Sequence, residues 1–106
     1  MSPGSVTGLE GLERDYRAAF FRYLPSRDEA ALRAGYEIGR SAVADALSLL
    51  DLAQVHHQVF LEVLRDTPAD DLSRVATAAS EFFAEVLATY DMATRGFLPD
   101  PSGVVE

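Results

Sequence analysis

The residues of this chain best suited to run a reaction are two adjacent histidines, His56 and His57. An imidazole can ligate a metal, shuttle a proton or carry a phosphoryl group. Neighbouring residues on a helix project about 100° apart, so these two rings cannot easily share one ion. Helical carboxylate–metal sites use Glu-x-x-His, whereas Ala53 and Gln54 stand three residues before the two histidines. The chain has no cysteine, which removes thiolate ligands and disulfides. No metal site and no cofactor is therefore expected. His56 reads as a hydrogen-bonded core residue and His57 as an interfacial one.

Catalysis finds little else to work with. No serine stands beside a base in a nucleophile motif, and the glycines form no phosphate loop. Arg14, Arg17, Arg22, Arg33 and Arg40 fall on solvent-facing positions and do not converge as a pocket for dianions would require. No catalytic residue is assigned. One chemical alternative remains, a histidine phosphotransfer domain in which exposed His57 accepts a phosphoryl group from a partner's aspartate. Such domains place lysine and glycine just after the histidine, but here Gln58, Val59 and Phe60 follow.

The elements that must position these residues read as helices. Ala, Leu, Glu and Arg dominate, and no period-two alternation is bounded by turn residues. Three stop-and-start signals divide the chain. At Leu24-Pro25-Ser26-Arg27-Asp28-Glu29, proline disfavours helix in the residue before it, and Ser26 with Glu29 suits a reciprocal cap. At Ser48-Leu49-Leu50-Asp51 an acid again follows a serine by three. Thr67-Pro68-Ala69-Asp70 offers a hydroxyl cap, a first-turn proline and a carboxylate at the positive end of the dipole, so a helix is expected from about Pro68. Arg95-Gly96-Phe97 is the closing signal. The expected fold is an all-α, antiparallel four-helix bundle running up-down-up-down.

Leu9, Leu12, Tyr16, Ala19, Phe20 and Tyr23 form the core stripe of the first segment and leave Phe21 off it. In the second, Leu32, Gly35, Tyr36, Gly39, Val43 and Ala46 share a face, and the glycine pair leaves a groove for close approach by another helix of the same chain. The fourth segment carries Leu72, Val75, Ala79, Phe83, Val86, Leu87 and Tyr90. If unbroken from Pro68 to Arg95 it is about 40 Å long, so its end either projects or covers the core.

The third segment differs from the rest. Leu52, Val55, His56, Val59 and Val63 make one stripe, and Leu50, His57, Leu61 and Leu64 a second, more than a right angle away. A helix apolar on two sides is ordinarily covered on both. One side can meet the chain's own core. The other needs either a large angle between helices or a second subunit, and a two-fold homodimer, the commonest form, is expected.

At 106 residues there is room for one domain, here 8–97, flanked by a loose N-terminus over 1–7 and a flexible tail over 98–106. A net charge of −8, with nine Arg and no Lys, argues against nucleic acid as a partner. The start lacks the basic and apolar regions of a signal peptide, and no apolar run approaches the roughly 20 residues of a membrane span. No membrane association and a cytoplasmic location are expected.

Asp15-Tyr16-Arg17 with Tyr23-Leu24, Ala34 through Arg40, Leu52 through His57, and Phe82 through Met92 together resemble the N-terminal regulatory domain of RsbU-type stress-response serine/threonine phosphatases, a domain also fused to bacterial sensor kinases. The similarity spans Leu12 to Phe97 and rests on packing residues. It implies a non-catalytic, dimeric four-helix signalling domain that binds a switch-kinase-like protein and so regulates a phosphatase or kinase output controlling a sigma factor. No phosphatase domain is read in these 106 residues, so the output step is expected either on a removed portion or on another protein. Phe21, Ile38, Leu50, His57, Leu61 and Leu64 are the candidate dimer or partner contacts.

Overall fold

The computed structural model describes residues 3–96, with side chains from Gly8 onward. Among these are four α-helices, α1 (Pro3–Ser26), α2 (Glu29–Ala44), α3 (Leu49–Arg65) and α4 (Leu72–Thr94), with a 3-10 turn at Ala69–Asp71 and no strand. The described residues thus form an all-helical bundle. Helix α1 begins at Pro3, inside the segment read as a loose N-terminus, while the tail over 98–106 lies outside the described residues.

The local signals divide into those obeyed and those overruled. Ser48 and Asp51 form the reciprocal cap of α3: the Asp51 N–H donates to Ser48 Oγ at 3.0 Å and the Ser48 N–H to Asp51 Oδ2 at 2.9 Å. Gly96 is left-handed, φ 76°, as a closing glycine allows. Ser26, in contrast, does not cap α2. Pro25 sits inside the last turn of α1, which runs on to Ser26. Arg27 then takes the left-handed φ of 53°, and Asp28 becomes the cap, accepting from the Ala30 N–H at 3.0 Å. A proline so near a helix end disturbs only the final turn. The Leu24 carbonyl there accepts from Arg74 Nη1 at 3.4 Å.

The start of α4 is also corrected. Thr67 Oγ1 donates back to the Val63 carbonyl at 2.6 Å, closing α3 instead of opening the next helix. The residues after Pro68 form a 3-10 turn, and α4 proper begins at Leu72, shortening it to 23 residues. Its far end covers the core. Val86 and Thr89 are buried, and Tyr90 Oη donates to the Leu47 carbonyl at 2.8 Å in the α2–α3 connection.

Helix α2 lies between α1 and α4, and its pairing with α4 is the closest in the molecule. A Cβ on Gly39 would stand 2.7 Å from the Val86 carbonyl oxygen and 2.9 Å from Thr89 Cβ, so the two backbones nearly touch. Gly35 meets Phe82 and Val86, and Gly39 meets Val86, Thr89 and Tyr90, so both helices run in the same direction. The groove expected from the glycine pair is filled by the chain's own fourth helix. Because α2 is covered on two sides, its buried arc is Ala31, Gly35, Ile38, Gly39 and Ala42, rotated from the stripe through Leu32 and Tyr36 that the sequence suggests.

At the centre, Tyr16 and Phe20 of α1 pack edge-on against Phe82 of α4, with ring centroids 5.2 and 5.7 Å away. All three are fully buried. Burial of a side chain of this size stabilises the fold by about 2–3 kcal/mol, which makes this cluster the main anchor of the bundle.

Candidate interaction surface

Helix α3 is packed on one side only. Its inward residues Leu52, Val55 and Val59 are buried against α1 and α4. His56 is half-buried beside them. Its ring lies flat on Phe83, centroids 3.9 Å apart and planes within 2°, and Nδ1 is 2.6 Å from Tyr16 Oη. Burial, then the neighbouring His57, lowers the His56 pKa from 6.5 to about 4, so the ring is neutral near pH 7. Burial also pushes the Tyr16 phenol far up, which keeps its proton on. Tyr16 therefore donates, Nδ1 accepts, and the ring hydrogen of His56 sits on Nε2. The expectation of a hydrogen-bonded core histidine holds.

The outward side presents the second stripe. Leu50 is 64% exposed and Leu61 38%, His57 is exposed and Leu64 half-buried. Among the described residues Leu50 is left mostly uncovered and Leu61 partly so. Two glutamines, Gln54 and Gln58, complete this face, and with Ala53 and His57 they line a shallow hollow. The glutamines escape a search for apolar residues; the signal for Gln54 is its spacing within the stripe, four residues after Leu50 and three before His57.

Charge is scarce here. From Leu52 to Leu61 the sequence has no Asp, Glu, Lys or Arg, although the chain as a whole is one-quarter charged. The first acid beyond that window, Glu62, is held by Arg17 of α1 through contacts of 2.6 and 3.1 Å, with Glu13 also on Arg17 at 3.3 Å. That hydrogen bonding holds the Glu62 carboxyl below its usual range and raises the Arg17 guanidinium above its own.

The other candidates fare differently. Phe21 projects from α1 and is 46% exposed. Ile38 is a correction: only 6% exposed, it belongs to the core because α1 closes over that side of α2, and it is not available to a partner. Leu50, His57, Leu61 and Leu64 do lie together, along one side of a single helix.

Among the described residues no group of three or more His, Asp or Glu side chains could hold a metal ion, and no helix is long and apolar enough to cross a membrane. A family model described as the N-terminal domain of phosphoserine phosphatase RsbU matches residues 14–93. The chain belongs to that family. The matched span takes in the aromatic core, the glycine pair and the whole of α3. This RsbU N-terminal domain is a regulatory part of a stress-response phosphatase and not its catalytic domain. Comparison with curated proteins gave no match, and neither did comparison with solved structures.

Proposed function

We propose that this domain is a non-catalytic signalling module, located in the cytoplasm, that forms a two-fold homodimer and binds a switch-kinase-like protein to regulate a phosphatase or kinase output in a sigma-factor stress response. The observation that carries the reading is the α3 stripe: an uncovered apolar face, short of charge, on a domain of a regulatory family. Interface cores are depleted of charge in this way. Successive helices alternate in direction in this arrangement.

Regulation then needs two states of the dimer that the partner binds unequally. Shifting such an equilibrium from mostly off to mostly on takes about 5 kcal/mol of preference, within the range of a standard interface. Helix α4 suits the relay, since it is clamped to α2 at Gly39 and to the α2–α3 connection at Leu47. The test is calorimetric titration of the purified domain with the switch kinase of an RsbU-type pathway. Saturable binding is expected; no heat and no complex at about 100 µM would count against the reading.

One observation favours a second reading: His57 is exposed in mid-helix, where a phosphoryl donor can reach it. In that case the phosphoryl group passes from an aspartyl phosphate to the imidazole and the aspartate carboxylate is released. Acid-labile phosphohistidine at His57, after incubation with a phosphorylated receiver domain, would support this alternative.

A further inference from the structure

The outward residues of α3 are not merely apolar; they are phased. Leu50, Gln54, His57, Leu61 and Leu64 succeed one another by four, three, four and three residues, the 3.5-residue period of a helix seam that another helix runs along. Leu52 and Val59, fully buried in the protomer, fall on the opposite side of the same helix. One side of α3 is thus built for the core and the other for a helix lying lengthwise.

We propose that this second helix is α3 of another copy, running antiparallel, with the two-fold axis passing near Gln58. This rests on the dimer reading above and assigns its surface. The occupant follows from charge. A chain of net charge −8 repels its own kind, and the face from Leu52 to Leu61 is where two copies can meet without opposing formal charges. The seam is flanked by Asp51 at the start of α3 and Arg65 at its end. Antiparallel pairing sets Asp51 of each copy near Arg65 of the other and opposes the helix dipoles favourably. Parallel pairing sets like beside like at both ends.

In this register Leu61 packs on His57 of the second copy and Leu64 on Gln54. The polar side chains in mid-seam fix the register, at some cost in affinity, as single polar residues do in coiled coils. At about 25 Å long, α3 supports a modest interface, in keeping with a dimer whose arrangement a partner can change.

Because the chain has no cysteine, cross-linking can place the axis directly. Single variants Gln58→Cys and Leu50→Cys are treated with a short bis-maleimide, and the oligomeric state is followed by sedimentation. Copies of position 58 lie side by side in the proposed dimer, whereas copies of position 50 are roughly 27 Å apart. The expected result is a covalent dimer from Gln58→Cys and little from Leu50→Cys, with Arg65→Glu weakening association about twofold to fivefold. Linking at both positions would show a parallel pair and overturn the arrangement. Linking at neither, with a dimer still present in sedimentation, would move the interface elsewhere and leave the functional reading standing. A monomer throughout would remove both.

Discussion

Helices α2 and α3 both carry more to bury than one neighbour can cover, yet the molecule treats them oppositely. Helix α2 is enclosed. Its glycines admit the backbone of α4, and Ala31, Ala42 and Ile38 lie within the bundle. Helix α3 is covered on one side and left open on the other, with Leu50 and Leu61 exposed. The difference lies in residue size. Small side chains let a second helix of the same chain come close, while large ones on the second side of α3 hold a surface out for something else.

The sharpest way to break this contrast is at the enclosed core. Phe82→Ala should cost about 3–5 kcal/mol, since the ring is fully buried among Tyr16, Phe20 and Tyr23 and its removal leaves a cavity. Equilibrium unfolding in urea measures this. A loss below about 1 kcal/mol would show the aromatic cluster to be looser than described. Gly39→Ala comes next, at about 2–3 kcal/mol, even though alanine is the better helix former. The added methyl meets the Val86 carbonyl, which is backbone and cannot swing aside. Gly35→Ala sharpens the point. The nearest atom there is a ring carbon of Phe82 at 3.1 Å, and a net change within about 1 kcal/mol is expected. Equal penalties at the two glycines would refute the closer approach assigned to Gly39.

A smaller effect should appear with pH. His56 binds its proton less readily folded than unfolded, its pKa lowered from 6.5 to about 4. Between those values the unfolded chain takes up more protons, so stability rises with pH. The contribution of His56 is complete above about pH 6.5 and is lost as pH falls through 4. The ring is only half-buried and water screens part of its charge, so about 1–2 kcal/mol is expected over that interval. Comparing urea midpoints of wild type and His56→Phe from pH 7 to 4 checks it; parallel curves would contradict the assignment.

Much of the fold was legible because its signals are local. The Ser48–Asp51 cap depends on residues three apart, Gly96 on its own backbone freedom, and the glycine pair of α2 on one helical turn. Where the sequence misled, either a competing local partner or a neighbouring helix prevailed. Ser26 lost the cap to Asp28 once α1 ran through Pro25, and Thr67 turned its hydroxyl to α3. Ile38 was offered as a contact because nothing in its own helix reveals that α1 lies over it. Of the surface, the leucines of α3 were readable from hydrophobicity. Gln54 was not, since only its phase marks it, and Gln58 was not, since it lies on the flank of the seam.

The most direct test of α3 as an association surface is sedimentation equilibrium of the domain at about 1–50 µM, wild type beside Leu61→Arg. Position 61 is partly exposed, and the long arginine stem can lie along the helix with its head in water, so the substitution should leave helicity intact. The expected result is a dimer for the wild type and a monomer for the variant. A wild-type monomer across that range, or a variant that dimerises equally well, would contradict it.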